Sequence, residues 1–207
     1  MSLKEKLKGL YVISDDVLTP DETLFSQIEQ ALLGGASIVQ LRDKKNSNNV
    51  IKEKIKTLQK LCKKHDALFV LNDKIDLAIE LGCDGLHIGK SDHNRFDEIR
   101  KNYKGVIGVS CYGDIDMAKD FEKRGADYVA FGSFFTSPTK PNSNIIALEV
   151  LKDAKTRLTI PVCAIGGINI ENVIHIIQYK PEMISIVNDI WTAGDITSQA
   201  SLYANQF

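Results

Sequence analysis

The segment SIVQLRDK carries Gln40, Arg42 and Lys44 at alternate positions. Alternate residues of an extended strand project to one face, so if Val39 and Leu41 face an apolar layer, these three side chains emerge together. An arginine among apolar strand residues is costly to bury without a counter-charge, and a multiply charged anionic ligand would supply one. Asn72-Asp73 follows, and the loop Gly89-Lys90-Ser91-Asp92 adds a second carboxylate. Two carboxylates opposite an Arg and a Lys suit a hard cation that bridges protein and phosphate oxygens, which is how Mg²⁺ is usually held. The alternative for each carboxylate is to cap the helix that follows it.

Residues 133 to 144, SFFTSPTKPNSN, form the longest polar irregular stretch, and its Ser137, Thr139 and Lys140 place hydroxyls beside a cation. Loops of this length in compact domains are usually functional. Further on, AIGGIN and IVNDIW stand near the C-terminus. Paired glycines let backbone N–H groups approach an anion, which makes this region a candidate second phosphate site. His87, inside GLHIG, reads as a satisfied pore residue rather than a general base. No Ser/His/Asp order, HExxH, P-loop or GxGxxG motif occurs, so hydrolase, zinc-protease and nucleotide-hydrolase readings have no support.

These groups need a scaffold that brings many segment ends to one place. Short β-branched runs alternate with amphipathic stretches from end to end. Leu10 to Ser14 reads as a strand and Thr23 to Leu33 as a helix, with Leu24, Ile28, Ala31 and Leu32 on one face before Gly34-Gly35. The same pairing recurs through SIVQLR, ALFVLN, GLHIG, VIGVS, DYVAFGS, PVCAIG and MISIV; the seventh helix is expected over Glu171 to Tyr179 and the last over Ile196 to Asn205. Strands without clean polar alternation, each followed by a helix, must be covered on both faces, which requires a parallel sheet. Eight such units favour a single (β/α)₈ TIM-barrel domain over residues 1–207 rather than an open doubly wound sheet. In such a barrel the chemistry gathers at the C-terminal ends of the strands.

Composition narrows the partners. An apolar fraction of 43%, a charged fraction of 26% and a net charge of -1 describe an ordinary globular chain without the basic excess of nucleic-acid or membrane-surface binders. The lysine-rich start has no uninterrupted apolar run before Asp15-Asp16, and no stretch approaches a membrane span. The 4 cysteines lack metal-finger or CxxC spacing, so reduced, packed thiols in a cytoplasmic protein are expected. Partners reduce to small-molecule substrates and, at most, further copies of the same chain.

The motifs taken in order, QLRDK, ND, DGLHIGKSD, GVS, SPTKP, AIGGI and ISIVNDI, are similar to those of the thiamine phosphate synthase family, a relative of thiazole tautomerase. The resemblance spans nearly the whole chain and stands at the ends of seven expected strands. It implies an Mg²⁺-dependent transferase that joins 4-amino-2-methyl-5-hydroxymethylpyrimidine diphosphate to thiazole phosphate. Gln40, Leu41, Arg42, Asp43, Lys44, Asn72, Ser110 and Lys140 would hold the pyrimidine diphosphate, with Asp73 and Asp92 placing Mg²⁺. Ser137, Pro138, Thr139, Gly167, Val187 and Asn188 would hold the thiazole phosphate. Arg42, Lys44, Ser110 and Lys140 are then the expected catalytic residues, acting by stabilising charge rather than by nucleophilic attack. The chain departs from the family pattern at Lys90, Ser137, Cys111-Tyr112-Gly113, Asn188 and Asp189, and the last puts a carboxylate beside a proposed phosphate site. The rival readings are a thiazole tautomerase, which needs no such carboxylate pair, and a non-catalytic barrel that binds thiamine precursors.

Overall fold

The computed structural model describes residues 2–138 and 142–207. Its strands are β1 (Gly9–Ile13), β2 (Ala36–Leu41), β3 (Leu68–Asn72), β4 (Gly85–Ile88), β5 (Val106–Tyr112), β6 (Tyr128–Phe131), β7 (Val162–Ile165) and β8 (Met183–Ile186). All eight pair in parallel with their sequence neighbours, and β8 returns to β1, so the barrel is closed. The helices are α1 (Leu24–Leu33), α2 (Asn48–Lys64), α3 (Ile75–Glu80), α4 (Phe96–Asn102), α5 (Ile115–Arg124), α6 (Glu149–Arg157), α7 (Ile174–Ile177), α8 (Asn188–Trp191) and α9 (Ile196–Ala204). Among the described residues no helix is long and apolar enough to cross a membrane.

The strand pleat divides the apolar residues into two layers. Outward-facing Val12, Val39, Leu41, Phe69, Leu71, Leu86 and Ile107 pack against the helices. Inward-facing Tyr11, Ile38, Leu68, Val70, Val106, Tyr128 and Met183 fill the barrel. The helices supply matching stripes: α1 buries Leu24, Ile28, Ala31 and Leu32, and α2 buries Ile51, Ile55, Leu58 and Cys62 at helical spacing. Asp114 caps α5 by accepting from Met117 N at 2.8 Å, and Gly125 ends that helix at φ 97°. Asp195 caps α9 in the same way.

One helix is much shorter than expected. Glu171 to Tyr179 gives only α7, flanked by turns. Asn169 and Asn172 bond each other's backbone, Asn169 also accepts from Glu171 N, and Asn172 reaches back to the Gly167 carbonyl at 3.0 Å. Side-chain bonds of this kind give the backbone partners other than the helical ones. The helix is sacrificed to hold the loop after β7.

Candidate active site

Beyond the C-terminal strand ends lies an open cavity of about 860 Å³. Its floor is a chain of hydrogen bonds across the barrel. Gln40 Nε2 donates to Tyr11 Oη at 2.5 Å, the hydroxyls of Tyr11 and Tyr128 meet at 2.9 Å, Tyr128 Oη lies 2.9 Å from His87 Nδ1, and His87 Nε2 lies 2.8 Å from Ser110 Oγ. Gly108 makes room for this chain, since a Cβ there would lie 1.9 Å from the Tyr128 ring. Both tyrosines are fully buried, and burial holds their hydroxyls protonated far beyond the usual phenol range. The tyrosine pair is therefore uncharged but polar, and Ser110, at the far end of the chain, carries it into the cavity. Tyr11 and Tyr128 were not singled out from sequence. Their inward parity was readable, but their meeting across 117 residues was not.

On the β2 side, Arg42 lines the cavity while Gln40 lies below it. Ser14 stitches the ends of β1 and β2 together, its Oγ accepting from Arg42 N at 2.9 Å. The other residues of QLRDK point elsewhere. Leu41 belongs to the helix-facing core. Asp43 turns back into its own loop, accepting from Asn46 N at 2.9 Å and pairing with buried Lys54 at 2.5 Å. Burial works to raise the Asp43 carboxyl, but Lys54 and Asn46 outweigh it and leave it below the usual range. Lys44 is exposed, with Nζ 3.9 Å from Asp73 Oδ2.

Asn72 ends β3 opposite His87 in the register. Asp73 follows in the left-handed region at φ 61°, a conformation Asp tolerates better than most residues. Neither α3 nor α4 takes a side-chain cap, so neither Asp73 nor Asp92 is spent in that way. Asp92 accepts from Ser91 Oγ at 2.8 Å and lies 3.7 Å from Arg95. Both carboxylates stand outside the cavity lining, with Lys90 of the same β4 loop inside it. Tyr112, at the end of β5, lines the cavity at φ 58°, a strained conformation for an aromatic residue.

The opposite wall is built around glycines. Gly166 and Gly167 adopt φ 103° and 67°, and a Cβ on them would lie 2.5 Å from Ser133 and 2.3 Å from the Thr136 carbonyl oxygen. Only glycine fits both the conformation and the space. Phe135 N donates to Gly166 O at 2.9 Å, tying the loop after β6 to this pair. Ser137, Pro138, Gly167, Val187 and Asn188 all line the cavity. Thr139 and Lys140 lie outside the described residues. Asp189 lines the cavity too, and one of its carboxylate oxygens is held by α9, where Gln199 Nε2 donates to it at 2.6 Å and the Tyr203 hydroxyl donates to the same oxygen. The short helix α8, unforeseen in the sequence, is fixed to β1 by Trp191 Nε1 donating to Ile13 O at 2.7 Å.

The four cysteines are buried and unpaired. Burial pushes the thiols of Cys62, Cys83 and Cys111 up to about 12, so none is a nucleophile near neutral pH.

The closed parallel barrel and its cavity, with an arginine and a lysine on one wall and a glycine-built loop on the other, define a (β/α)₈-barrel protein of the kind that binds phosphorylated small molecules. Residues 10–190 match the family model of thiamine monophosphate synthase. The chain is 42% identical over 191 residues to a thiamine-phosphate synthase of Wolinella succinogenes, covering 91% of this chain and 88% of that protein. It is 40% identical over 190 residues to the thiamine-phosphate synthase of Thermoplasma acidophilum, covering 92% and 88%. A solved thiamine phosphate pyrophosphorylase from Pyrococcus furiosus superposes with a TM-score of 0.86 at 33% identity, covering 99% of this chain and 97% of that one. The chain belongs to the thiamine monophosphate synthase family.

Proposed function

We propose that the protein transfers a pyrimidinylmethyl group from 4-amino-2-methyl-5-hydroxymethylpyrimidine diphosphate to thiazole phosphate, giving thiamine phosphate and diphosphate. The observation that carries this reading is the division of one cavity into two walls, Arg42, Lys90 and Ser110 facing Gly167, Val187 and Asn188. One anion-bearing substrate fits each wall, with the reacting atoms between them. The carbon–oxygen bond to diphosphate breaks with its electron pair leaving on oxygen. The thiazole nitrogen then donates its lone pair to the freed methylene carbon.

No nucleophilic side chain is needed for this. The work of the protein is to align two substrates and to stabilise charge as diphosphate departs. Arg42 serves the second task from a fixed strand end, and Lys44 and Lys140 are the further cations assigned to it. Gln40 and Asn72 complete the pyrimidine side, while Leu41 and Asp43, whose side chains are engaged elsewhere, contribute backbone only. Ser110, oriented by His87, presents a hydroxyl to the pyrimidine ring. Ser137 and Pro138 belong to the thiazole-phosphate wall, and Thr139 is assigned to the same substrate by the family resemblance.

Asp73 and Asp92 are the residues that would hold Mg²⁺. They fit it as hard oxygen donors uncommitted to capping. Among the described residues no cluster of three acidic or metal-ligating side chains occurs, so the remaining positions would fall to phosphate oxygens and water, as is common for this ion. When bound, the ion supplies positive charge to the leaving diphosphate. The four buried thiols suit a reducing compartment, the cytoplasm.

The test is product formation from both substrates with and without Mg²⁺. Asp73→Asn and Asp92→Asn should each lower turnover on the order of 10²-fold while the fold is kept. Full turnover in chelator would remove the metal assignment. Binding of both substrates without any product would remove the transferase.

A further inference from the structure

Among the described residues only a few buried side-chain polar atoms lack a hydrogen-bond partner, and they differ in where they point. His65 Nε2 lies 3.7 Å from the Glu29 carboxylate, and the His93 ring packs on Phe121. Neither faces the cavity. Ser185 is different: the residue is part of the cavity lining, although it is only 3% exposed. A serine hydroxyl offers one donor and two acceptor sites, and leaving all of them unused in a buried layer is unfavourable unless something else completes them.

Ser185 sits on the inward face of β8, between Ile165 of β7 and Tyr11 of β1 in the register. Its neighbours cannot serve it. Ile165 is apolar, and the Tyr11 hydroxyl is committed to Gln40 and Tyr128. Three strands away around the barrel, Ser110 stands on β5 with its own hydroxyl held by His87. Two serines thus line the cavity from different sides, one with its hydroxyl oriented by the protein and one with its hydroxyl awaiting a partner.

We propose that Ser185 is a substrate-positioning residue, its hydroxyl donating to a ring nitrogen of the aminopyrimidine of the first substrate. This rests on the transferase reading above. Both substrates carry ring nitrogen, but the chemistry separates them. The only ring nitrogen of the thiazole is the nucleophile, and a donor there would occupy the lone pair that must form the new bond. The pyrimidine ring nitrogens form no bond in the reaction and can hold a hydrogen bond throughout. Ser110 and Ser185 then fix the rotation of the ring, aiming its methylene carbon at the thiazole wall.

The experiment is calorimetric binding of each substrate alone to the unmodified protein and to Ser185→Ala and Ser185→Cys, with thermal unfolding of each protein without ligand. Ser185→Ala should bind the pyrimidine diphosphate about tenfold more weakly, leave thiazole phosphate binding unchanged, and unfold at the same or a higher temperature, since no protein hydrogen bond is lost. Ser185→Cys, a weaker donor of similar shape, should fall between. Unchanged pyrimidine diphosphate affinity in Ser185→Ala overturns the proposal. So does a lower unfolding temperature with both affinities reduced in parallel, which would mark a structural hydroxyl, or a loss confined to thiazole phosphate. If the unmodified protein binds neither substrate, the transferase reading fails first and takes this assignment with it.

Discussion

Replacing Tyr128 by Phe tests the barrel floor by the loss of one oxygen. The Tyr128 hydroxyl is fully buried and lies 2.9 Å from both Tyr11 Oη and His87 Nδ1. Phe keeps the ring in the space left by Gly108, so the cavity cost is small. Two hydrogen bonds disappear, each contributing about 1 kcal/mol net, and partners left short in a dry layer add about 1–2 kcal/mol more. The expected destabilisation is about 2–4 kcal/mol. At roughly 2–4 °C per kcal/mol for a domain of this size, the unfolding temperature should fall by about 5–15 °C. Urea and thermal unfolding without ligand measure it. Tyr11→Phe should cost a similar amount, but the bond between the two hydroxyls can be lost only once. The double variant should therefore be less destabilised than the sum of the singles by about 1 kcal/mol. A cost below about 0.5 kcal/mol for Tyr128→Phe, or strict additivity in the double variant, would refute the continuous floor.

Other perturbations reach the walls and the frame. Gly167→Ala places a Cβ 2.3 Å from the Thr136 carbonyl oxygen at φ 67°, so it should displace the loop after β6 and weaken thiazole phosphate binding more than pyrimidine diphosphate binding, as separate titrations would show. Lys54→Met leaves the buried Asp43 carboxylate without its cation and should cost about 3–5 kcal/mol in urea unfolding; an unchanged midpoint would mean that Asp43 is not held as described. Burial alone would raise the Glu122 carboxyl, but the Thr159 N–H and hydroxyl, Lys119 and the Ile160 N–H overcome it and hold it at about 2, below its usual 4.5. A carboxyl depressed on folding stabilises above its unfolded value and loses that contribution as pH falls through its folded one, so Glu122→Gln should flatten the decline of stability between pH 4.5 and 2.

The barrel was legible in the chain because eight apolar runs, each followed by an amphipathic stretch, have few other ways to bury both faces. The shared side of Gln40 and Arg42 followed from the pleat, and Val39 and Leu41 do face the helices, but β2 ends at Leu41 and Lys44 stands exposed outside the cavity lining. What parity could not foresee is that the loop tightens after Arg42. Asp43 accepts two backbone N–H groups and meets Lys54 from the following helix, an interaction set by how α2 packs. The paired glycines announced a close approach, but that they are pressed on by the loop after β6 is a matter of which strands adjoin. Asp189 looked like a carboxylate against a phosphate site, and it does line the cavity; what the sequence did not show is that α9 engages one of its oxygens through Gln199 and Tyr203. The floor was the least legible feature. Tyr11, Gln40, His87, Ser110 and Tyr128 come from five strands, and only closure of the sheet brings their short-range hydrogen bonds within reach. Strand parity is a local property of the backbone, so the sequence carries it; contact between distant strands exists only once the barrel has closed.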